Sequence, residues 1–553
     1  MKTFLFLLFI SFTLFTYCTE SLSEGSVYYN SQANTYSFED VLDQQAASYG
    51  RYNDALFEKG FGKLHLFTNG QYDDYIQMYA AGYLEGHLTQ KRIWDQFSNF
   101  QNGSLHEFNS TIWPIKLVDW IQKNIEYTRQ QCESPADNLY GQFCYNLKQF
   151  DGLLDGYNEA ASLSEQISEL GLWLLQSQGD LDDLGIAVFL DSEDKQEREE
   201  ARSKVYSSEW HDSHHHCTGF VKVLPDHSDI FFSQVTWSAY YTLSRIFKQY
   251  TFNLVNYGTQ AKTIAFSSYP GLLFSVDDFY ITDQQLCVLE TTFNIFNDSL
   301  YIKYVTHNTD TILTWLRMQA INRLAVSGKT WVDNMKKVNS GTYNNQYLVL
   351  DMKEFTPGRK LKEGLLWELE MIPGFTYSQE RTKGWLNTKT WYPSINTPEN
   401  ITLFNLAGFP AKVKEDGDYW SYWYNARMKI MERDAYDKIQ NYDDFKSFMR
   451  YNNYLNDPLS NDDPAQSIAS RYDLRTSNTT KKKFKKAPFG ALDAKTTNYQ
   501  DVQEMKFSLI SSPTYVNDLP YWKFGVPPLD ICPWQGLPQI WNFDWDEFQI
   551  ISL

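Results

Sequence analysis

Basic residues are in deficit: 49 Lys and Arg stand against 68 Asp and Glu, a net charge of −19. An acidic surface argues against nucleic acid as a partner. It suits an acidic compartment, where some carboxylates are neutralised. Beyond the N-terminus, no apolar run reaches the ~20 residues a membrane span needs. No G-x-S-x-G, H-E-x-x-H or Walker sequence occurs, so the serine α/β-hydrolase, zincin and P-loop readings lose support. No internal repeat is evident. Cysteine is scarce, six in 553 residues, so each one is informative.

What is present is a large core. Hydrophobic residues make up 42% and aromatics 17%, which excludes global disorder. The length calls for two or more packed layers or subdomains. Lys2, the apolar stretch 4–17 and small residues at Thr16 and Cys18 read as a signal peptide over 1–18. Behind it, the N-x-[ST] triplets at Asn102, Asn109, Asn297, Asn400 and Asn478 become glycan candidates on surface loops. Cys132 and Cys144 bracket a short turn-rich loop, where an oxidising compartment makes a disulfide the default. Cys217, Cys287 and Cys532 are left over. Cys287 sits in an apolar run and reads as a buried strand residue. Cys532 lies in a Pro-rich loop, where pairing and a free thiol both fit.

Residues 36–190 read as mainly helical, and Gly82 and Gly86 in YAAGYLEGHLT suggest close helix packing. The stretch 191–204, DSEDKQEREEARSK, is almost wholly polar and reads as a solvated connector. Strand patterns begin at Cys217. CTGFVKVL, the turn PDHSD and DIFFSQVTW form a hairpin signature. Residues 240–252 have the pattern of an amphipathic helix. KTIAFSSYP, GLLFSVDDFYI, QLCVLETTFNIF, YLVLDMKEF and GLLWELEMIPGF read as strands, and 313–339 as helix. The stretch past 452 reads as ordered surface loops. The expected class is α+β, with a mainly helical part (19–190), a connector (191–216) and a strand-bearing part (217–553).

A cysteine at the head of a strand, directly after a dispensable segment, is what an N-terminal nucleophile needs. Its thiol attacks the carbonyl of His216, the His216–Cys217 bond opens, and the freed α-amine serves as base for its own side chain. A buried or disulfide-bonded cysteine is the blander alternative. The tract His211 to Cys217 contains clustered His and Cys able to bind zinc or copper, but no second ligand pair occurs at finger-like spacing. No metal or cofactor is implied. The basic run 481–486 could touch anionic headgroups or simply be a solvated loop. Asp277 and Asp278 read as turn and hydrogen-bonding residues, since neighbours on a strand face opposite ways.

CTGFVKVLPDHSD, TWSAYYTLSRIFKQY, SSYPG, FSVDDFYI, LETT, WYPSINTP, MRYNNYLNDPLS and GALDAKTT together resemble the phospholipase B-like family, over most of the chain. The resemblance implies an N-terminal-nucleophile fold, a four-layer αββα sandwich, maturing into two associated fragments. It implies Cys217 as nucleophile, with Trp237, Thr292, Asn396 and Arg427 as site residues. Asn396 would donate to an oxyanion, Arg427 would lower the thiol pKa, and Trp237 and Thr292 would shape the pocket. The family's His three residues before the Trp is here Gln234, which cannot carry a proton charge. The implied activity is release of fatty acids from glycerophospholipids by a secreted or lysosomal or vacuolar protein, with transient contact to membrane surfaces. An N-acyl amide hydrolase of the same fold, or a luminal lipid-binding protein without turnover, stays open.

Overall fold

The computed structural model describes residues 21–108, 110–191, 216–476 and 485–553. The signal-peptide reading, the connector from 192 to 215, Asn109, Asn478 and positions 481–484 of the basic run lie outside them. The class is α+β: two large sheets with helices packed on them.

The N-terminal part departs from the helical expectation, because it opens with strands. These are β1 (Ser21–Asn30), β2 (Thr35–Glu39), β3 (Ser48–Ala55) and β4 (Phe61–Thr68). Helices Asp74–Leu88, Gln90–Glu107, Ile115–Gln131 and Asn138–Ala160 follow. The glycine expectation holds. A Cβ on Gly82 would strike the main chain of Gln149, and one on Gly86 that of Tyr157. Gly152 and Gly156 answer from the other helix against Tyr79 and Tyr83, so the two backbones touch where side chains would hold them apart.

Past the connector come β5 (His216–Val223), β6 (Ile230–Ala239), β7 (Arg245–Thr251), β8 (Thr263–Ser268), β9 (Tyr280–Thr282) and β10 (Leu286–Thr292). β5 and β6 form the expected hairpin, with Cys217 opposite Thr236. The amphipathic helix expected over 240–252 is instead a short 3-10 turn (Tyr240–Thr242) followed by β7. The polar residues that suggested a solvent face are buried in pairs: Lys248 with Glu85, Gln249 with His65, Arg245 with Asp277. Helices Thr314–Leu324 and Gly328–Met335 match the expectation over 313–339. Then follow β11 (Asn345–Asp351), β12 (Leu366–Ile372), β13 (Phe375–Glu380) and β14 (Trp391–Ser394). The last are β15 (Phe489–Ala491), β16 (Asp493–Asn498), β17 (Lys506–Ser511), the ribbon β18 (Trp522–Lys523) and β19 (Ile540–Trp541), and β20 (Asp546–Gln549).

One sheet runs β13-β12-β11-β10-β9-β8-β7-β4-β3-β1-β2, joined across the connector by the parallel pair β4–β7. The other runs β14-β5-β6-β16-β17-β20, with β15 on β6. Side chains alternate along each strand. Val221, Phe232 and Phe507 of the second sheet share one core with Phe247, Cys287 and Leu348 of the first. The opposite face of the first sheet, with Ile246, Phe266 and Val288, packs against Leu84, Phe150 and Leu316 of the helices. The opposite face of the second, with Phe220, Phe231 and Val235, packs against Met428, Met431 and Phe445. Because both faces of each sheet are covered, nearly every described residue of β6 and β10 is buried, polar ones included.

Candidate active site

The core between the sheets changes character at one end. Beyond Val221 and Phe232, the positions on that face of β5 and β6 are Gly219 and Cys217, Gln234 and Thr236. Cys217 is 5% exposed. Its main-chain N–H donates to Asn396 Oδ1 at 3.0 Å. Asn396 lies two residues past the end of β14 and has φ +64°, a left-handed conformation that asparagine tolerates better than other residues with a Cβ. Its Nδ2 donates to the Thr292 carbonyl at 2.9 Å, and its N–H donates to Thr291 Oγ1 at 3.1 Å. The amide is therefore committed at both ends, with its oxygen turned to the head of β5. Of the two Nδ2 protons of Asn396, the one described contact goes to the Thr292 carbonyl.

Arg427 lies in helix Ala426–Asp434. It donates to the Cys217 carbonyl, to Asn396 Oδ1 at 2.8 Å, to Thr218 Oγ1 at 3.3 Å and to the Ile395 carbonyl at 2.7 Å. Its guanidinium stacks 4.6 Å from the Trp237 ring, a cation–π contact. Burial lowers its pKa to about 10. Arg427 thus grips the main chain around Cys217, and its charge and that of a Cys217 thiolate favour each other. Burial pushes the thiol well up, and Glu290 adds to this; the Trp237 main-chain N–H works the other way. Cys217 Sγ is 4.0 Å from Glu290 Oε1. Glu290 in turn accepts from Thr292 Oγ1 at 3.0 Å and Tyr343 OH at 3.2 Å.

Cys217, Thr236, Trp237, Glu290, Thr292 and Tyr343 line a cavity of about 100 Å³. Its outer wall carries Phe100, Phe108, Tyr241 and Phe489, together with Glu107 and Asp182. Among the described residues, its lining holds three carboxylates and neither Lys nor Arg. A smaller cavity of about 20 Å³ lies on the far side of Trp237, lined by Asn396, Arg427 and Tyr419 among others. The indole stands between the two.

The family model for phospholipase B matches residues 48–548. The chain belongs to the phospholipase B family. It is 34% identical to phospholipase B-like protein B of Dictyostelium discoideum, over 92% of this chain and 87% of that relative. It is 33% identical to phospholipase B of Crotalus adamanteus, over 94% and 91%. With phospholipase B-like 1 of Homo sapiens it shares 32% identity, over 94% and 90%.

Within this phospholipase B family chain, five residues chosen from sequence converge: Cys217, Trp237, Thr292, Asn396 and Arg427. Gln234 stands one step back. It is fully buried, outside the cavity lining, and its Oε1 accepts from Thr236 Oγ1 at 3.1 Å. Sequence reasoning passed over Glu290, although it lies inside the LETT motif. The available signal was an ionisable residue within an otherwise apolar strand.

Behind Thr236 lies a second polar cluster. Lys495 Nζ donates to Thr236 Oγ1 at 2.5 Å and pairs with Asp493 at 3.0 Å and Asp277 at 3.3 Å. Arg245 pairs with Asp277 and, at 2.8 Å, with Asp493. Asp277 is the turn and hydrogen-bonding residue expected, accepting from Ser267 at 2.8 Å and Tyr269 at 3.0 Å, and it is an ion-pair centre besides.

The Cys132–Cys144 disulfide is formed. Cys287 and Cys532 are buried and free. Asn102 is exposed but helical, not on a loop. Asn297 and Asn400 each cap a helix N-terminus with their side chains. No described helix is long and apolar enough to cross a membrane.

Proposed function

We propose that this chain is an acyl hydrolase of the N-terminal-nucleophile type, which cuts its own His216–Cys217 bond and then releases fatty acyl chains from glycerophospholipids. The observation that carries this reading is the setting of Cys217. It heads β5, its Sγ opens to a cavity, and its N–H, the nitrogen that becomes the α-amine, rests on Asn396 Oδ1. The alternation of the three core clusters supports a four-layer αββα sandwich. The printed names of the relatives supply the substrate class.

In turnover the α-amine takes the thiol proton as Sγ attacks the ester carbonyl, and gives it to the departing alcohol. Water then opens the thioester. Asn396 Oδ1 and Arg427 hold the amine and the first carbonyl of β5 in register. The Trp237 main-chain N–H, which favours the thiolate, is the donor assigned to the oxyanion beside Asn396. The N-terminal segment 1–18 delivers the protein to the secretory route, for export or for a lysosomal or vacuolar lumen.

The test uses the full chain and Cys217→Ala. The wild-type protein should give a fragment whose N-terminal sequence begins at Cys217, and should release labelled fatty acid from phosphatidylcholine vesicles. Cys217→Ala should stay whole and inert with an unchanged melting temperature. Cutting of Cys217→Ala at the same bond would assign the cleavage to a separate protease. A matured protein that hydrolyses N-acyl amides but no phospholipid would move the substrate class, and one that hydrolyses neither would be a lipid binder.

A further inference from the structure

An N-terminal nucleophile meets a problem of order. The α-amine that serves as base in turnover exists only after the preceding peptide bond has been broken. The first cut must therefore remove the proton from the Cys217 thiol by another group. That thiol is harder to ionise than an ordinary one, because it is buried and faces a carboxyl group.

Among the described residues, Glu290 is the titratable side chain that reaches Sγ, with Oε1 at 4.0 Å. It is held from both sides by neutral donors, Thr292 Oγ1 on Oε2 at 3.0 Å and Tyr343 OH on Oε1 at 3.2 Å. No ion pair of the described residues includes Glu290, whereas Asp277, in the turn before β9, lies between Arg245 and Lys495. A carboxylate that is oriented but not neutralised by a salt bridge is suited to receive a proton.

We propose that Glu290 is the base of the self-cleavage step; this rests on Cys217 being the nucleophile. Glu290 takes the thiol proton as the bond from Sγ to the His216 carbonyl carbon forms. It returns that proton to the Cys217 nitrogen as the C–N bond breaks, leaving a thioester and a free amine. Water then adds to the thioester carbonyl and the C–S bond breaks, which yields the His216 carboxyl group and restores the thiol. No proton is gained or lost in the acyl shift, and water is the only co-reactant.

The titratable groups facing Glu290 among the described residues are Cys217 from β5, Tyr343 from the approach to β11, Tyr347 from β11, Asp277 and Asp278 from the turn before β9, and Lys495 from β16. Burial raises the Glu290 pKa well above the ordinary carboxylate range, and Asp277 adds to this. Thr292, Tyr343 and Lys495 pull it down, but by less. The base form therefore grows as pH rises from the acid range.

The experiment follows cutting of freshly synthesised full chain, made in a protease-free cell-free system, for wild type, Glu290→Gln, Glu290→Asp and Cys217→Ala. Folding is checked by near-ultraviolet circular dichroism and thermal melting. Wild-type cutting should accelerate as pH rises from the acid range. Glu290→Gln should be cut more slowly by about 100-fold, and should lose that acceleration. Glu290→Asp should recover part of the rate with a displaced pH profile. Folded Glu290→Gln cut at the wild-type rate overturns the proposal while an inert Cys217→Ala leaves the nucleophile standing. Cutting of Cys217→Ala removes both. Should Glu290→Gln fail to fold, the wild-type and Glu290→Asp profiles decide, and two identical profiles overturn the proposal.

Discussion

Asp277 and Asp278 are neighbours in the chain, both buried, and their carboxyls are driven in opposite directions. Burial alone would raise Asp277, but Arg245 and Lys495 overcome it and hold the group at about 2. Asp278 is pushed well up by burial, then by Glu290 and Asp277, with Arg317 and the nearby Tyr280 opposing. The same contrast separates the two polar clusters that meet at Thr236. Arg245, Lys495, Asp277 and Asp493 balance two charges against two. Around Cys217 the carboxyl of Glu290 has hydrogen bonds but no ion pair among the described residues. Burial is equal in both, so the partner decides the charge state. A neutralised cluster is spent on holding the sheets together, whereas an unneutralised one keeps a proton to exchange.

The sharpest way to break this comparison is to remove one charge from the balanced side. Asp277→Ala leaves Arg245 and Lys495 with Asp493 alone. Stranding buried charge in this way costs about 3–5 kcal/mol, read as a lower midpoint in urea unfolding. A loss under about 1 kcal/mol, the worth of a solvent-exposed pair, would mean that the cluster is solvated and that the contrast is false.

The next effect is on stability against pH. Asp183, buried and hydrogen-bonded by Tyr301 and by Asn344 at 3.0 Å, is raised by burial to about 7. A raised carboxyl stabilises the folded chain fully below its unfolded pKa, 3.8, and that contribution is lost as pH climbs to about 7. For Asp183 the swing is roughly 4 kcal/mol. Asp277 acts in the opposite sense: its contribution is present above 3.8 and is lost as pH falls toward 2. Melting temperature should therefore peak in mildly acid buffer and fall on both sides. Asp183→Asn should flatten the fall toward neutral pH and leave the acid limb in place.

The sequence made the β5–β6 hairpin legible because its alternation and its turn are local. It made Cys217 legible because a strand starts abruptly after a polar stretch. β7 was not legible, since Arg245, Lys248 and Gln249 recur with the spacing of a wet helix face. Each is instead buried beside a partner distant in sequence, and Lys248 meets Glu85 some 163 residues away. The early strands were hidden for a similar reason. SYGRYNDA and FGKLHLFT carry glycine and charge, and only the parallel pairing of β4 with β7 across the connector gives them a sheet to join. The motif residues converge in space, but the sequence does not tell which atoms they join. Asn396 turns its oxygen to the nitrogen of Cys217, and Arg427 binds the Cys217 carbonyl.

The smallest expected effect tests how finely the unbalanced side is tuned. Thr292 Oγ1 donates to Glu290 Oε2 at 3.0 Å and holds the Glu290 pKa below where burial alone would put it. Thr292→Val keeps the shape and removes that donor. The Glu290 pKa should then rise further, so less of its base form is present in acid. Cutting of the His216–Cys217 bond at mildly acid pH should slow by about tenfold, on the order of one hydrogen bond to a charged group. In alkaline buffer, where Glu290 is ionised in both proteins, the two rates should converge. A slowing of equal size at every pH would mean that Thr292 acts by positioning Glu290 and not by setting its charge, and would reduce the contrast between the two clusters to one of geometry.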